Sequence, residues 1–276
     1  MRVPDAIRDC VAYLGLLVTD ASGEQKVSLG GTGFFVMLES GDIPGLSYIF
    51  LVTAAHVAEK LEGKDFAIRM NTKAGTADFA RSGANVRWWY HPDRQVDVAL
   101  VPWAPPLEHF EYKVLPLLDM VVTDEVVRSE HVGLGDEVFL TGLFANLVGN
   151  KKNIPIVRIG NIAMMPDEPV PTERGSMMAY LIESRSLGGL SGSPAFVNPV
   201  RGDRFFLLGV VHGHWKIPTD PNNVVNMGIA LVTPAERILE VIHQPELLDM
   251  RKRHEENLKE GTLPSPDAAT SFRGMF

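Results

Sequence analysis

Short runs rich in β-branched and aromatic residues recur along this chain, each closed by a turn cluster, and helical periodicity between them is scarce. From Cys10 to about Trp103 they include Gly33 to Leu38, Tyr48 to Thr53 and Val96 to Val101. A second set comprises Glu137 to Thr141, Val157 to Met164, Met178 to Glu183, Pro194 to Val197, Phe205 to His212 and Met227 to Val232. Between the sets, the stretch from Ala104-Pro105-Pro106 to Pro116 is punctuated by prolines, which cannot donate to a sheet ladder, and reads as a linker. Two groups of roughly six strands predict two β-barrels or sandwiches rather than an alternating strand and helix fold.

Helix signals come only at the end. Thr233 suits an N-cap, Pro234 the first helical position and Glu236 the capping box, which predicts a helix to about His243. Pro245 starts a second, charged helix that ends near Lys259, and the Pro, Ser and Ala rich tail beyond Gly261 is expected to be mobile. The expected units are therefore residues 1–110, 111–233 and 234–276, the last holding the helices and tail.

With 276 residues, 45% of them hydrophobic, the chain can bury a substantial core. Its formal charge of −8 gives no overall field for collecting nucleic acid or anionic lipid, so neither is expected as a partner. Cys10 is the only cysteine, which excludes an internal disulfide and fits a reducing compartment; it reads as a small buried hydrophobe. The first residues, which include Asp5 and Asp9, do not resemble a signal peptide, and no apolar run reaches the roughly 20 residues that span a bilayer. A cytoplasmic location, without membrane contact, is the expectation.

Three local sequences carry chemistry. In Leu51-Val52-Thr53-Ala54-Ala55-His56-Val57 an apolar run ends in small residues, which let an imidazole sit close to the backbone and a partner. A structural histidine would satisfy that segment equally. In Val96-Asp97-Val98-Ala99-Leu100-Val101 a carboxylate sits in an apolar run, where it needs specific donors. Holding a histidine in one tautomer is such a use; capping a turn is another. In Leu187-Gly188-Gly189-Leu190-Ser191-Gly192-Ser193-Pro194, glycines flanking Ser191 permit a tight backbone in which the Gly189 and Ser191 amides face one oxygen. An ordinary surface loop has the same composition.

Taken in order, Gly31-Thr32-Gly33-Phe34, Thr53-Ala54-Ala55-His56, Asp97-Val98-Ala99-Leu100 and Gly189-Leu190-Ser191-Gly192-Ser193-Pro194 resemble the chymotrypsin-like serine peptidases, in particular the bacterial high-temperature-requirement type. The resemblance extends through Gly133 to Val138, Leu208 to Val211 and Gly228 to Ala230, covering roughly residues 10 to 240. It implies two six-stranded antiparallel barrels, a protein or peptide substrate and no metal or organic cofactor. It also implies a catalytic set of His56, Asp97 and Ser191, with an oxyanion hole from the Gly189 and Ser191 amides.

The sequence departs from the family in three respects. Leu190 replaces the Asp that digestive members pair with a new N-terminus, and Ser193 replaces the commoner Gly. Too few residues follow Val232 for an adaptor domain. Arg185 falls where the family places the base of its specificity pocket, and His212-Gly213-His214 ends the wall strand, so Arg185, His212 and His214 are expected to bind substrate and to favour an acidic residue before the scissile bond. His212 and His214 are also spaced as a metal pair, but no third ligand is evident and none is assigned. Trp88-Trp89-Tyr90 and the Met164-Met165 and Met177-Met178 pairs read as packing residues. Gating by a regulatory protein or by homo-oligomerisation is expected for an intracellular protease. Two competing readings are an α/β-hydrolase, which Ser193 and the missing strand-helix alternation oppose, and a catalytically silent two-barrel binding module.

Overall fold

The computed structural model describes residues 3–184, 189–199, 204–220 and 223–261. A short helix α1 (Asp5–Asp9) leads into β1 (Val11–Thr19), β2 (Gln25–Glu39) and β3 (Ser47–Thr53). Then follow α2 (Ala55–Leu61), β4 (Phe66–Asn71), β5 (Ala77–Ser82), β6 (Trp89–Tyr90), β7 (Ala99–Pro102) and β8 (Leu115–Pro116). These strands form one eight-stranded sheet in the order β5-β4-β1-β2-β3-β7-β6, with β8 beside β2. β3 lies between β2 and β7, and its run Tyr48 to Thr53 is buried along its whole length, which is why it reads as uninterrupted apolar sequence. Edge strand β5 instead has only exposed and half-buried residues.

Helices α3 (Leu117–Met120) and α4 (Asp124–Ser129) connect to the second unit, in which Thr123 caps α4 by accepting from Val126 N. The second unit contains β9 (Glu137–Gly142), β10 (Ile156–Met164), the hairpin β11 (Val170–Thr172) and β12 (Gly175–Met177), then β13 (Tyr180–Glu183), β14 (Pro194–Asn198), β15 (Phe206–Asp220) and β16 (Asn223–Pro234). Six of these strands close an antiparallel barrel in the order β10-β13-β16-β15-β14-β9. The expected all-β architecture is thus present. The first sheet has eight strands rather than six because β6 and β8, two residues each, are too short to show a period in the sequence.

The proline-rich stretch is folded onto the first sheet rather than left open. Phe110 is buried and bridges Thr72, and the Tyr112 ring lies 4.7 Å from that of Phe35. Trp88 and Trp89 are buried in the same core, and Cys10 is fully buried with its thiol pushed up by burial.

Helices α5 (Glu236–Ile242) and α6 (Pro245–Lys259) complete the chain. Pro245 opens α6 as expected. α5, however, starts two residues later than its sequence signals: Thr233 and Pro234 remain in β16, where Thr233 pairs with Val210, and Ala235 takes the N-cap position without a side-chain bond. Strand pairing at a buried position outweighs the gain of about 1 kcal/mol from a capping hydroxyl. The expected mobile tail lies outside the described residues. Among the described residues, no helix is long and apolar enough to cross a membrane.

One hydrophobic cluster runs through the first sheet, the residues Phe139, Leu143, Phe196, Leu207 and Val210 that the second unit turns outward from its barrel, and Ile238, Val241, Ile242 and Leu247 of the C-terminal helices. The barrel interior forms another, around Val138, Leu140, Ile182, Ala195, Val211 and Val232. The cleft between the two units is where the chemistry-bearing residues meet.

Candidate active site

His56 is the second residue of α2, whose N-cap, Ala54, is extended and has no side chain able to cap. The backbone N–H of His56 therefore turns to a carboxylate 41 residues away, donating to Asp97 Oδ1 at 2.9 Å, while its Nδ1 lies 2.7 Å from Asp97 Oδ2. Asp97 lies two residues before β7 and is fully buried. An ionised carboxylate has no proton to give, so Nδ1 must be the donor and Nε2 is left as the acceptor. Small Ala54 and Ala55, both buried, make the close approach sterically free.

Ser191 enters from the second unit, on the turn before β14. β2 of the first unit holds that turn: Thr32 N donates to Ser191 O at 3.0 Å, and Thr32 Oγ1 donates to Gly189 O at 2.8 Å while accepting from Leu143 N at 2.9 Å. Gly192 has φ +83°, and a Cβ there would lie 2.2 Å from both Thr32 O and Thr53 Oγ1, so glycine is required on both counts. Ser193 is fully buried, and Gly142 makes room for it, since a Cβ at Gly142 would lie 1.9 Å from Ser193 Oγ. The room that Ser193 needs is thus given by a missing side chain on the neighbouring strand.

Ser193 N donates to Leu190 O at 2.9 Å. Carbonyl and amide point in opposite directions across a trans peptide, so this bond turns the Ser191 N–H away from the barrel wall. Among the described residues, neither the Gly189 nor the Ser191 amide has a hydrogen-bond acceptor. The Ser191 hydroxyl donates to the His212 carbonyl at 3.2 Å.

His56, Ser191, Gly189, His212 and His214 line one cleft of about 790 Å³. All five are among the residues singled out from the sequence, which gave no sign of what His212 does with its ring. His212 Nδ1 lies 2.5 Å from Asp97 Oδ2, so two imidazoles share one carboxylate oxygen, their centroids 5.5 Å apart. Burial alone would raise the Asp97 carboxyl, but hydrogen bonds from His212 and His56 outweigh it and hold the group well below the usual carboxylate range. Arg174, from the β11–β12 turn, places Nε 3.9 Å from Asp97 Oδ1 and forms a two-pronged pair with Glu59 of α2, at 2.8 Å for each contact. Its hydrogen bond to Glu59 raises the guanidinium and lowers the Glu59 carboxyl. Neither contact has a local sequence signal, because each joins residues more than 75 positions apart. Arg185, the expected specificity residue, lies outside the described residues.

His56, Asp97 and His212 also bring three metal-ligating atoms together within 4.8 Å. Tetrahedral zinc, with ligands at about 2.0–2.1 Å, needs those atoms roughly 3.3 Å apart. The nitrogen–oxygen distances of 2.5 and 2.7 Å are those of hydrogen bonds.

The fold is that of the chymotrypsin-like, HtrA-type protease domains. Among solved structures the chain is similar to the MamO protease domain from Magnetospirillum magneticum in its apo form, at 17% identity and a TM-score of 0.53, over 87% of this chain and 98% of that one. It is similar also to the HtrA-type protease AlgW with a decapeptide, at 15% identity and a TM-score of 0.52, over 89% of this chain and 73% of that one. No family model and no curated protein matches the sequence.

Proposed function

We propose that the chain is a serine endopeptidase. The observation that carries this reading is the convergence of His56, Asp97 and Ser191 on one cleft, with His56 Nδ1 2.7 Å from the buried carboxylate and its Nε2 free to accept. For the reaction the Ser191 hydroxyl must leave the His212 carbonyl and turn to His56 Nε2. His56 then removes the proton as Ser191 Oγ attacks the peptide carbonyl, and returns it to the leaving amine. Collapse of the tetrahedral intermediate breaks the C–N bond and leaves an acyl-enzyme, which water hydrolyses by the same steps in reverse roles. The Gly189 and Ser191 amides stabilise the oxyanion, at about 3 kcal/mol per donor.

Substrate polypeptide fits the strand edge beside the nucleophile. β15 pairs with β14 only as far as Val210, whereas its pairing with β16 continues through Gly213 and His214. An extended segment is proposed to add as a further strand along this part of β15. A preference for Glu or Asp before the scissile bond rests on Arg185, and a peptide-library cleavage profile lacking that preference would remove it.

Labelling by a fluorophosphonate probe tests the reading. Wild type is expected to take up one equivalent and Ser191→Ala none. Absence of label in the wild type across several buffers favours the silent binding module instead.

A further inference from the structure

His212 competes with His56 for the same oxygen of the same carboxylate. Both Nδ1 atoms must donate, because Asp97 Oδ2 can only accept, so in their neutral forms the two rings carry the same tautomer, with Nε2 as the acceptor. The remaining oxygen of Asp97 is taken by the His56 backbone N–H. Fully buried, Asp97 has a single negative charge to share, and it cannot balance a proton gained by both rings at once. Two imidazolium rings with centroids 5.5 Å apart would repel across it, so uptake of a proton by one ring opposes uptake by the other. The other charged groups facing this cluster are Arg174, whose charge is balanced by Glu59 at 2.8 Å, together with Lys60, Glu173 and His214 on the cleft walls.

We propose that His212 is a positioning residue for the hydrolysis above: by occupying half of Asp97 Oδ2 it fixes the carboxylate's orientation and sets how strongly that carboxylate supports a protonated His56. This rests on the peptidase reading. The effect on the reaction has a definite sign. When Ser191 transfers its proton, His56 becomes a cation, and the response of Asp97 is divided between two donors. With His212 in place, only part of that response reaches His56. Without it Asp97 serves His56 alone, and the acid limb of activity moves to higher pH.

Two substitutions separate this role from a merely structural one. His212→Asn keeps a neutral N–H donor near the position of Nδ1 but cannot titrate, whereas His212→Ala removes the donor. The pH dependence of fluorophosphonate labelling is measured for each, and the histidine ring NMR signals are titrated in the Ser191→Ala background, where no activity is needed. In His212→Ala the His56 ring is expected to become half-protonated at least about half a pH unit higher, roughly a threefold gain in proton affinity, with the acid limb of labelling shifted alike. In His212→Asn the midpoint stays near the wild-type value, while the wild-type curve, spread by coupling of the two rings, sharpens to a single step. A His56 titration unchanged by His212→Ala, or wild-type rings that titrate independently, overturns the proposal. Failure of the wild type to label overturns the peptidase reading and leaves the ring titrations to decide the coupling.

Discussion

Asp97 is the residue on which the site is built, because a fully buried charge must be satisfied by fixed donors and so dictates where those donors stand. Its carboxyl is held below the usual range in the folded chain, with hydrogen bonds from His212 and His56 outweighing burial. A depressed folded value means that ionised Asp97 contributes stability at neutral pH, and that this contribution is lost as pH falls below about 3.9, the ordinary carboxylate value, towards the folded one. Asp97→Asn lacks this component. Urea midpoints at pH 7, 5 and 3 are therefore expected to fall more steeply for wild type than for Asp97→Asn, with the gap between them narrowing at pH 3. Parallel curves would refute it. Asp97, His56 and Ser191 stood out in the sequence only together, because the motifs that carry them follow in the order of one family, whereas each segment alone fits a structural role as well. The His212 ring was not legible. Its expected place on the substrate wall follows from strand position, whereas its contact with Asp97 spans 115 residues and depends on how two units close.

At the scale of elements, buried polar contacts lock loops of one unit onto strands of the other. Arg69 of β4 is buried without a carboxylate partner among the described residues, and burial lowers its guanidinium. It donates to the carbonyls of Val148 and Gly149, at 3.1 and 2.8 Å, and to Asn153 Oδ1 at 2.8 Å, while Asn153 Nδ2 donates back to Arg69 O. This clamps the β9–β10 loop to the first sheet. Arg69→Met keeps much of the side-chain volume but orphans those acceptors, and is expected to cost about 2–4 kcal/mol, lowering Tm in a thermal melt by on the order of 5 °C. A melt within a degree of wild type would show that water replaces the guanidinium. The strands were legible from their apolar runs, but the start of α5 was not. Thr233 offers a hydroxyl to a helix and a β-branched side chain to a strand, and only its pairing with Val210 decides between them.

The whole molecule is held by a core that does not respect the boundary between its units. The cluster containing Tyr13, Phe35 and Leu51 of the first sheet continues into Phe139 and Phe196 of the second unit and Ile238 and Leu247 of the C-terminal helices. Those helices reach back to the first unit through polar contacts as well: Gln244 Nε2 donates to Tyr90 O at 2.7 Å, and Arg87 pairs with Glu246 at 2.6 Å. Unfolding is therefore expected to be one cooperative step. Urea titrations read by tryptophan fluorescence, which reports mostly on Trp88, Trp89 and Trp103 of the first unit, and by far-UV circular dichroism should coincide. Ile238→Ala, made in α5, should shift both together by about 2–5 kcal/mol. Two separated transitions would show that the units fold independently.

By itself the sequence determined what local physics can encode: an all-β chain with helices at its end, a small-residue approach to His56, a carboxylate committed to burial, and a glycine-flanked serine. Steric freedom, propensity and the cost of burying charge act over a few residues and leave their mark there. The tertiary structure alone decided that Asp97 serves two imidazoles, that Arg174 reaches Glu59 beside it, and that Thr32 of one unit fastens the serine turn of the other. Such contacts join segments remote in the chain, and their distances are set only when two sheets pack around a shared core.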